Sequence, residues 1–237
     1  MDVENLEKAI REKEAALSLA FPSLMRKVYV WMLWALTITG VMAYGVASSP
    51  VLVESIFSNQ ALFWVLIIGE LALVFGISRW LNKLSLTMAT LLFILYSALN
   101  GVTLSVIFLA YSPMVITKVF LITASTFGVM AAYGYFTKTD LSKMGKILFM
   151  ALIGLIIATL VNVFLRSPGF DLIISYIGVL VFVGLTAWDT QKIKGMLAQC
   201  DDMNEDAQKI ALMGSLTLYL DFINLFLYLL RIFGRER

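Results

Sequence analysis

Seven long apolar stretches separated by short polar breaks organise the chain. They run over about Val28–Ala47, Ala61–Leu81, Leu84–Ala110, Met114–Phe136, Ile147–Leu165, Leu172–Trp188 and Ile210–Phe233. A helix needs roughly 20 predominantly apolar residues to cross the hydrocarbon core of a bilayer, so each stretch predicts one membrane-spanning helix. The breaks carry turn or charge signals: SSP at Ser48–Pro50, NK at Asn82–Lys83, SP at Ser112–Pro113, KTDLSK at Lys138–Lys143 and SPG at Ser167–Gly169. Connections this short make successive helices antiparallel neighbours in one bundle. One polar connection is longer, Lys192–Lys209, and contains CDDMNED. Residues 1–25 mix acidic and basic side chains and lack the uninterrupted apolar core of a signal peptide, so they read as a solvated cytosolic segment. The expectation is an all-α polytopic membrane protein, with residues 26–237 forming a seven-helix transmembrane domain.

Composition agrees and narrows the chemistry. Of 237 residues, 60% are hydrophobic and 14% charged, too few charges to cover a water-facing surface. The formal net charge of +2, without a basic run, argues against a nucleic-acid partner and leaves the lipid bilayer as the surrounding medium. There is no histidine and one cysteine, Cys200, which excludes intrachain disulfides, zinc hydrolases, His-assisted nucleophiles and histidine pH switches. Proton chemistry near neutral pH is left to carboxylates, and no cofactor is implied.

Lys and Arg counts in short loops set the orientation of a polytopic chain. With the N-terminus in the cytoplasm, the inside segments collect Arg26, Lys27, Lys83, Lys138, Lys143, Lys146, Lys192, Lys194 and Lys209, while the outside loops hold little beyond Arg166. Arg231, Arg235 and Arg237 run against this assignment, since seven spans place the C-terminus outside; a re-entrant last segment is the alternative.

A charge in the middle of a span costs about 2.5–3.5 kcal/mol on insertion scales, so each one needs a reason. Glu70 and Arg79 lie in the second span, Asp189 ends the sixth and Asp221 lies inside the seventh. In the seventh, Gly214, Thr217, Asp221, Asn224 and Tyr228 recur at helical spacing and make one polar stripe, with Leu218, Leu220, Phe222, Leu225 and Leu229 opposite. A polar stripe in a membrane helix faces protein or water, which predicts an interior place for the seventh helix. Hydrogen bonding between helices suits Thr217 and Asn224, and also Asn100 and Asn162. It suits an ionised Asp221 poorly. Two carboxylates, Asp189 and Asp221, brought together in a poorly hydrated bundle cannot both ionise cheaply and titrate as a unit. Such a pair makes a histidine-free pH sensor, and when both ionise it makes a hard-oxygen site for a cation such as calcium. Glu70 is a candidate pathway residue. For Arg79 two readings stand, a latch that neutralises one of the acids or a side chain snorkelling to the cytoplasmic face beside Lys83. Gly154–Ala158 has the small-xxx-small spacing of a packing patch.

The stretches GLTAWDTQKI (Gly184–Ile193), SLTLYLDFINLFLYLLRIFG (Ser215–Gly234) and YGYFTKTDLSKMG (Tyr133–Gly145) resemble the motifs of the Bax inhibitor-1 family, in its bacterial branch. The likeness extends from about Arg26 onward. It implies a seven-helix bundle with the last helix central, in a bacterial plasma membrane. It also implies a di-aspartyl pH sensor at Asp189 and Asp221 governing a calcium leak, with Glu70 matching the family's second-span glutamate. The acidic loop Asp201–Asp206 departs from the pattern and reads as a partner-binding or divalent-attracting element.

Three functions compete on these residues. A pH-gated cation leak uses the stripe and both aspartates. A membrane-embedded regulator of a protease such as FtsH, or of a stress-response partner, uses the charged N-terminal segment and cytosolic loop and transports nothing. An intramembrane aspartyl protease has its two acids but needs a GxGD motif, and Leu220 precedes Asp221 where that motif requires glycine. The reading is a non-enzymatic calcium (cation) leak.

Overall fold

A computed structural model describes residues 3–200 and 202–234, with side chains described from Phe21 onward. Its elements are α1 (Val3–Ala47), α2 (Pro50–Phe57), α3 (Gln60–Trp80), a 3-10 turn (Leu81–Lys83), α4 (Leu86–Leu104), α5 (Val106–Ala110), α6 (Pro113–Phe136), α7 (Ser142–Leu165), α8 (Pro168–Leu197) and α9 (Glu205–Phe233). Among the described residues there is no strand. Seven helical segments are long and apolar enough to cross a membrane: Phe21–Ala47, Gln60–Lys83, Leu86–Ala110, Pro113–Phe136, Ser142–Leu165, Pro168–Leu197 and Glu205–Phe233. These are the seven expected spans, each matched to one apolar stretch.

The polar breaks act as stops and starts. Ser49 caps α2 by accepting from the Leu52 N–H, with Pro50 in the first turn. Asn59 caps α3 and Ser112 caps α6 in the same way, and Pro113 opens α6 at a position where no N–H is needed. α7 closes on Arg166 in the left-handed region (φ 50°), with the Asn162 amide oxygen accepting from the Ser167 N–H at 3.2 Å. Asn162 therefore finishes its own helix and makes no bond across helices among the described residues, a correction to the sequence expectation. The Gly154–Ala158 spacing is likewise unused at its glycine: nothing lies within 4 Å of where a Cβ on Gly154 would be.

Several boundaries differ from the apolar pattern, and α1 starts at Val3, well before its apolar stretch. The third span breaks at Ser105 into α4 and α5, where the Phe108 N–H bonds to the Ser105 carbonyl at 3.1 Å. α8 continues past Trp188 to Leu197, and α9 starts at Glu205, upstream of its apolar run, with Asn204 accepting from the Ala207 N–H at 2.8 Å. Backbone hydrogen bonding carries both helices through polar sequence that hydropathy alone would leave as a loop. Of the acidic loop Asp201–Asp206, Glu205 and Asp206 fall in the first turn of α9. Asp201 lies outside the described residues, Asp202 accepts from the Asn204 N–H, and Glu205 and Asp206 flank Lys209 at 3.1 and 3.8 Å. α9 is one unbroken helix of 29 residues, which argues against a re-entrant last segment.

The chain forms two compact units. The first holds the chain up to Leu104 together with Ile193–Leu216. In it α1 and α3 both pack on α4. The Thr39 hydroxyl donates to the Ser97 carbonyl at 2.9 Å, Lys27 donates to Gln208 at 2.7 Å, and Glu205 accepts from the Leu86 N–H at 2.9 Å. The starts of α4 and α9 and the membrane entry of α1 thus share one end of this unit.

The second unit holds Ser105–Lys192 and the chain from Thr217. Phe120 and Phe127 of α6 meet Phe222 of α9 edge-on, both at 5.5 Å between ring centroids. Backbones approach closely at glycines: a Cβ on Gly134 would collide with the Ala187 backbone, one on Gly145 with the Trp188 ring, and one on Gly178 with the Tyr228 ring. Gln191 ties α8 to the α6–α7 loop, accepting from the Leu141 N–H at 2.9 Å and donating to the Thr139 carbonyl at 2.8 Å. In that loop the Ser142 N–H and hydroxyl hold the Asp140 carboxyl below the usual carboxylate range.

Burial sorts the spans. α9 is the most enclosed, with 67% of its most apolar 18-residue stretch buried, whereas α3 and α7 bury only 6% of theirs. Apolar side chains exposed along α3 and α7, among them Phe75, Leu160 and Phe164, suit hydrocarbon and not water.

Candidate functional site

The polar stripe of α9 opens onto a cavity of about 470 Å³ within the second unit. Helical spacing brings Thr217, Asp221, Asn224 and Tyr228 to one face, and all four line it. Asp189 and Lys192, one turn apart on α8, line it as well, while Phe149, Leu152 and Ile156 of α7 supply an apolar wall. Asp189 and Asp221 are 6% and 5% exposed. The two carboxylates predicted as a pair thus border one cavity from the last two spans. Leu220, expected on the opposite face, is a lining residue too.

Hydrogen bonding leaves this site incompletely satisfied. The Asp221 Oδ2 is buried and has no hydrogen-bond partner. Asn224 spends its amide N–H on the Leu220 carbonyl of its own helix at 2.8 Å, leaving its amide oxygen as an acceptor. Tyr228 is hydrogen-bonded to Thr159. Arg231 lies over the Tyr228 ring at 5.4 Å and pairs with Asp171 at 3.6 Å, which occupies this C-terminal cation within the protein and reduces its weight as a loop charge. Arg235 and Arg237 lie outside the described residues.

Lys192 is the feature that pattern reading passed over. It counts as a cytoplasmic loop charge by sequence, but α8 extends far enough to place it on the cavity, with its ammonium 5.0 Å over the Trp188 ring. The signal was available in the one-turn spacing from Asp189 and in the helix-compatible sequence that follows Trp188.

Glu70 and Arg79 are not among the cavity's lining residues; both belong to the first unit. Glu70 bonds across to α4, at 2.8 Å from the Thr103 hydroxyl and 3.4 Å from the Asn100 amide nitrogen, so Asn100 does act between helices as expected. Arg79 is exposed at the end of α3 and makes no ion pair with Glu70.

The arrangement can hold a proton between two acids or, with both ionised, offer oxygen ligands to a cation. Among the described residues no group of three or more acidic, Cys or His side chains could hold a metal. The lining brings the oxygen-bearing side chains of Asp189, Asp221, Thr217 and Asn224 to one cavity, with Lys192 beside them.

The family model described as "Inhibitor of apoptosis-promoting Bax1" matches residues 22–237. The chain is 50% identical over 214 residues to "Inner membrane protein YbhL" of Escherichia coli (strain K12), covering 90% of this chain and 92% of that protein. It is 49% identical over 213 residues to an "Uncharacterized protein" of Borreliella burgdorferi, covering 90% and 92%. An "Uncharacterized membrane protein" of Streptococcus pyogenes serotype M1 is 43% identical over 183 residues, covering 77% of this chain and 79% of that one.

Proposed function

The chain belongs to the Bax inhibitor-1 family of multi-pass membrane proteins, and from that premise we propose that it is a pH-sensitive calcium (cation) leak gated by Asp189 and Asp221. The observation that carries the reading is the shared cavity: two nearly buried carboxylates on the last two spans border one space, and one of their oxygens has no hydrogen-bond partner. With a proton shared between them, the pair holds α8 and α9 together. Loss of that proton sets two like charges against each other in a poorly hydrated place, loosens the packing and supplies oxygen ligands for calcium. The working location is a bacterial plasma membrane with the N-terminus cytoplasmic, supported by the Lys/Arg asymmetry of the loops and by a relative named as an inner membrane protein.

Calcium flux into proteoliposomes between pH 6 and 8 tests this. Because the charged pair is the open form, flux in the parent protein rises with pH. Asp189→Asn and Asp221→Asn, which remove the shared titration, flatten the profile. Absence of flux above protein-free liposomes at every pH, with the protein shown to be folded, rejects the leak and leaves regulation of a membrane protease such as FtsH.

A further inference from the structure

Glu70 is the eleventh of the 21 residues of α3, so about ten residues at 1.5 Å each, roughly 15 Å of helix, separate its Cα from either end. No Lys or Arg pairs with it among the described residues. Arg79 lies nine residues further along and is exposed, while Glu54 on α2 and Lys83 in the 3-10 turn belong to the elements flanking the two ends of the helix. From α4, the span packed against it, the titratable group within electrostatic reach is Tyr96, which carries no positive charge. An ionised carboxylate at this depth would be uncompensated, and hydrocarbon does not tolerate that cheaply.

Counting hydrogens shows what compensates it. The Thr103 hydroxyl oxygen lies 2.8 Å from Glu70 Oε1, 3.0 Å from the Asn100 carbonyl and 3.5 Å from the Leu99 carbonyl. A threonine hydroxyl has one hydrogen to give. If that hydrogen goes to Glu70, the backbone contact at 3.0 Å loses its donor; if it goes to the backbone, as helical threonines commonly arrange, the 2.8 Å contact to Glu70 needs a hydrogen from the acid. Both short contacts are satisfied together when Oε1 is protonated, donating to Thr103 while Thr103 donates to its own helix. The Asn100 amide then donates to the other, carbonyl oxygen at 3.4 Å.

We infer that Glu70 is a proton-binding site within the membrane, its acid hydrogen donated to the Thr103 hydroxyl, which donates its own hydrogen to the backbone of α4. The site lies in the first unit and involves neither aspartate of the cavity.

The test uses the full chain in proteoliposomes treated with dicyclohexylcarbodiimide, which attacks protonated carboxyl groups in apolar surroundings, with the modified residue located by peptide mass spectrometry. Glu70 should be modified, with less modification as pH rises, and the modification should persist in Asp221→Asn and in the presence of calcium. Infrared spectra of the untreated protein should contain a protonated-carboxyl C=O band that Glu70→Gln removes. Since glutamine is an uncharged isostere of the acid, Glu70→Gln should keep the parent's thermal stability. No modification of Glu70 at any pH in folded protein overturns the inference. Protection by calcium at fixed pH also overturns it, assigning the site to a metal cation instead. Peptide-level mapping of the parent protein decides the matter even if the variant folds poorly.

Discussion

At the scale of single residues, the cavity concentrates unsatisfied polarity at Asp221, whose buried Oδ2 has no hydrogen-bond partner. A buried polar atom without a partner costs about 1–3 kcal/mol. Asp221→Asn removes the charge while keeping the shape, so at pH 8 this variant should unfold no earlier than the parent. Unfolding in detergent micelles measures this, and a loss of comparable size would show that the carboxylate is satisfied in the folded protein. Glycine is required at Gly134 for the opposite reason, space: a Cβ there would press into the Ala187 backbone, which has no side chain to swing aside. Gly134→Ala should cost about 1–3 kcal/mol through forced separation of α6 and α8. Ala at Gly128, where nothing lies within 4 Å of the added carbon, is the control and should be close to neutral. The sequence contains both glycines without any mark to tell them apart.

At the scale of elements, α8 is held to the α6–α7 loop by the two hydrogen bonds of Gln191, two residues beyond Asp189. Gln191→Ala leaves the Leu141 N–H and the Thr139 carbonyl without that partner, at about 0.5–1.5 kcal/mol for each net hydrogen bond. Faster amide hydrogen exchange at Leu141 should accompany this loss, and unchanged exchange there would show that α8 does not depend on the tie. Hydropathy ended this helix at Trp188 because it reads side chains; the backbone continues helical to Leu197 because its own ladder persists in polar sequence. Helix starts were better marked, since Ser49, Asn59 and Ser112 stand where an N-cap oxygen is needed and can be read one residue at a time. The break at Ser105 carries neither proline nor glycine at the site and had no such mark.

At the scale of the whole molecule, the orientation proposal has a native probe. Cys200 is the sole cysteine, half-buried, in the connection between the last two spans that the loop charges assign to the cytoplasm. A membrane-impermeant maleimide should modify it in inverted vesicles and spare it in right-side-out ones. The reverse pattern would put the N-terminus outside and turn the Lys/Arg asymmetry against the usual rule.

The sequence by itself determined that this chain is helical, crosses a membrane seven times and belongs to one family, because apolar length, cap residues and motif identity are local properties written along the chain. It also marked the stripe on the last helix and the two aspartates, since helical periodicity converts spacing directly into a shared face. Which residues meet across helices was decided by tertiary structure. Lys192 joining the aspartates at the cavity, Glu70 finding Thr103 and Asn100 while Arg79 stays exposed, and Gln191 reaching the loop 50 residues back all depend on helix rotation and contact. Those are set by packing among distant segments, and no window of sequence contains them.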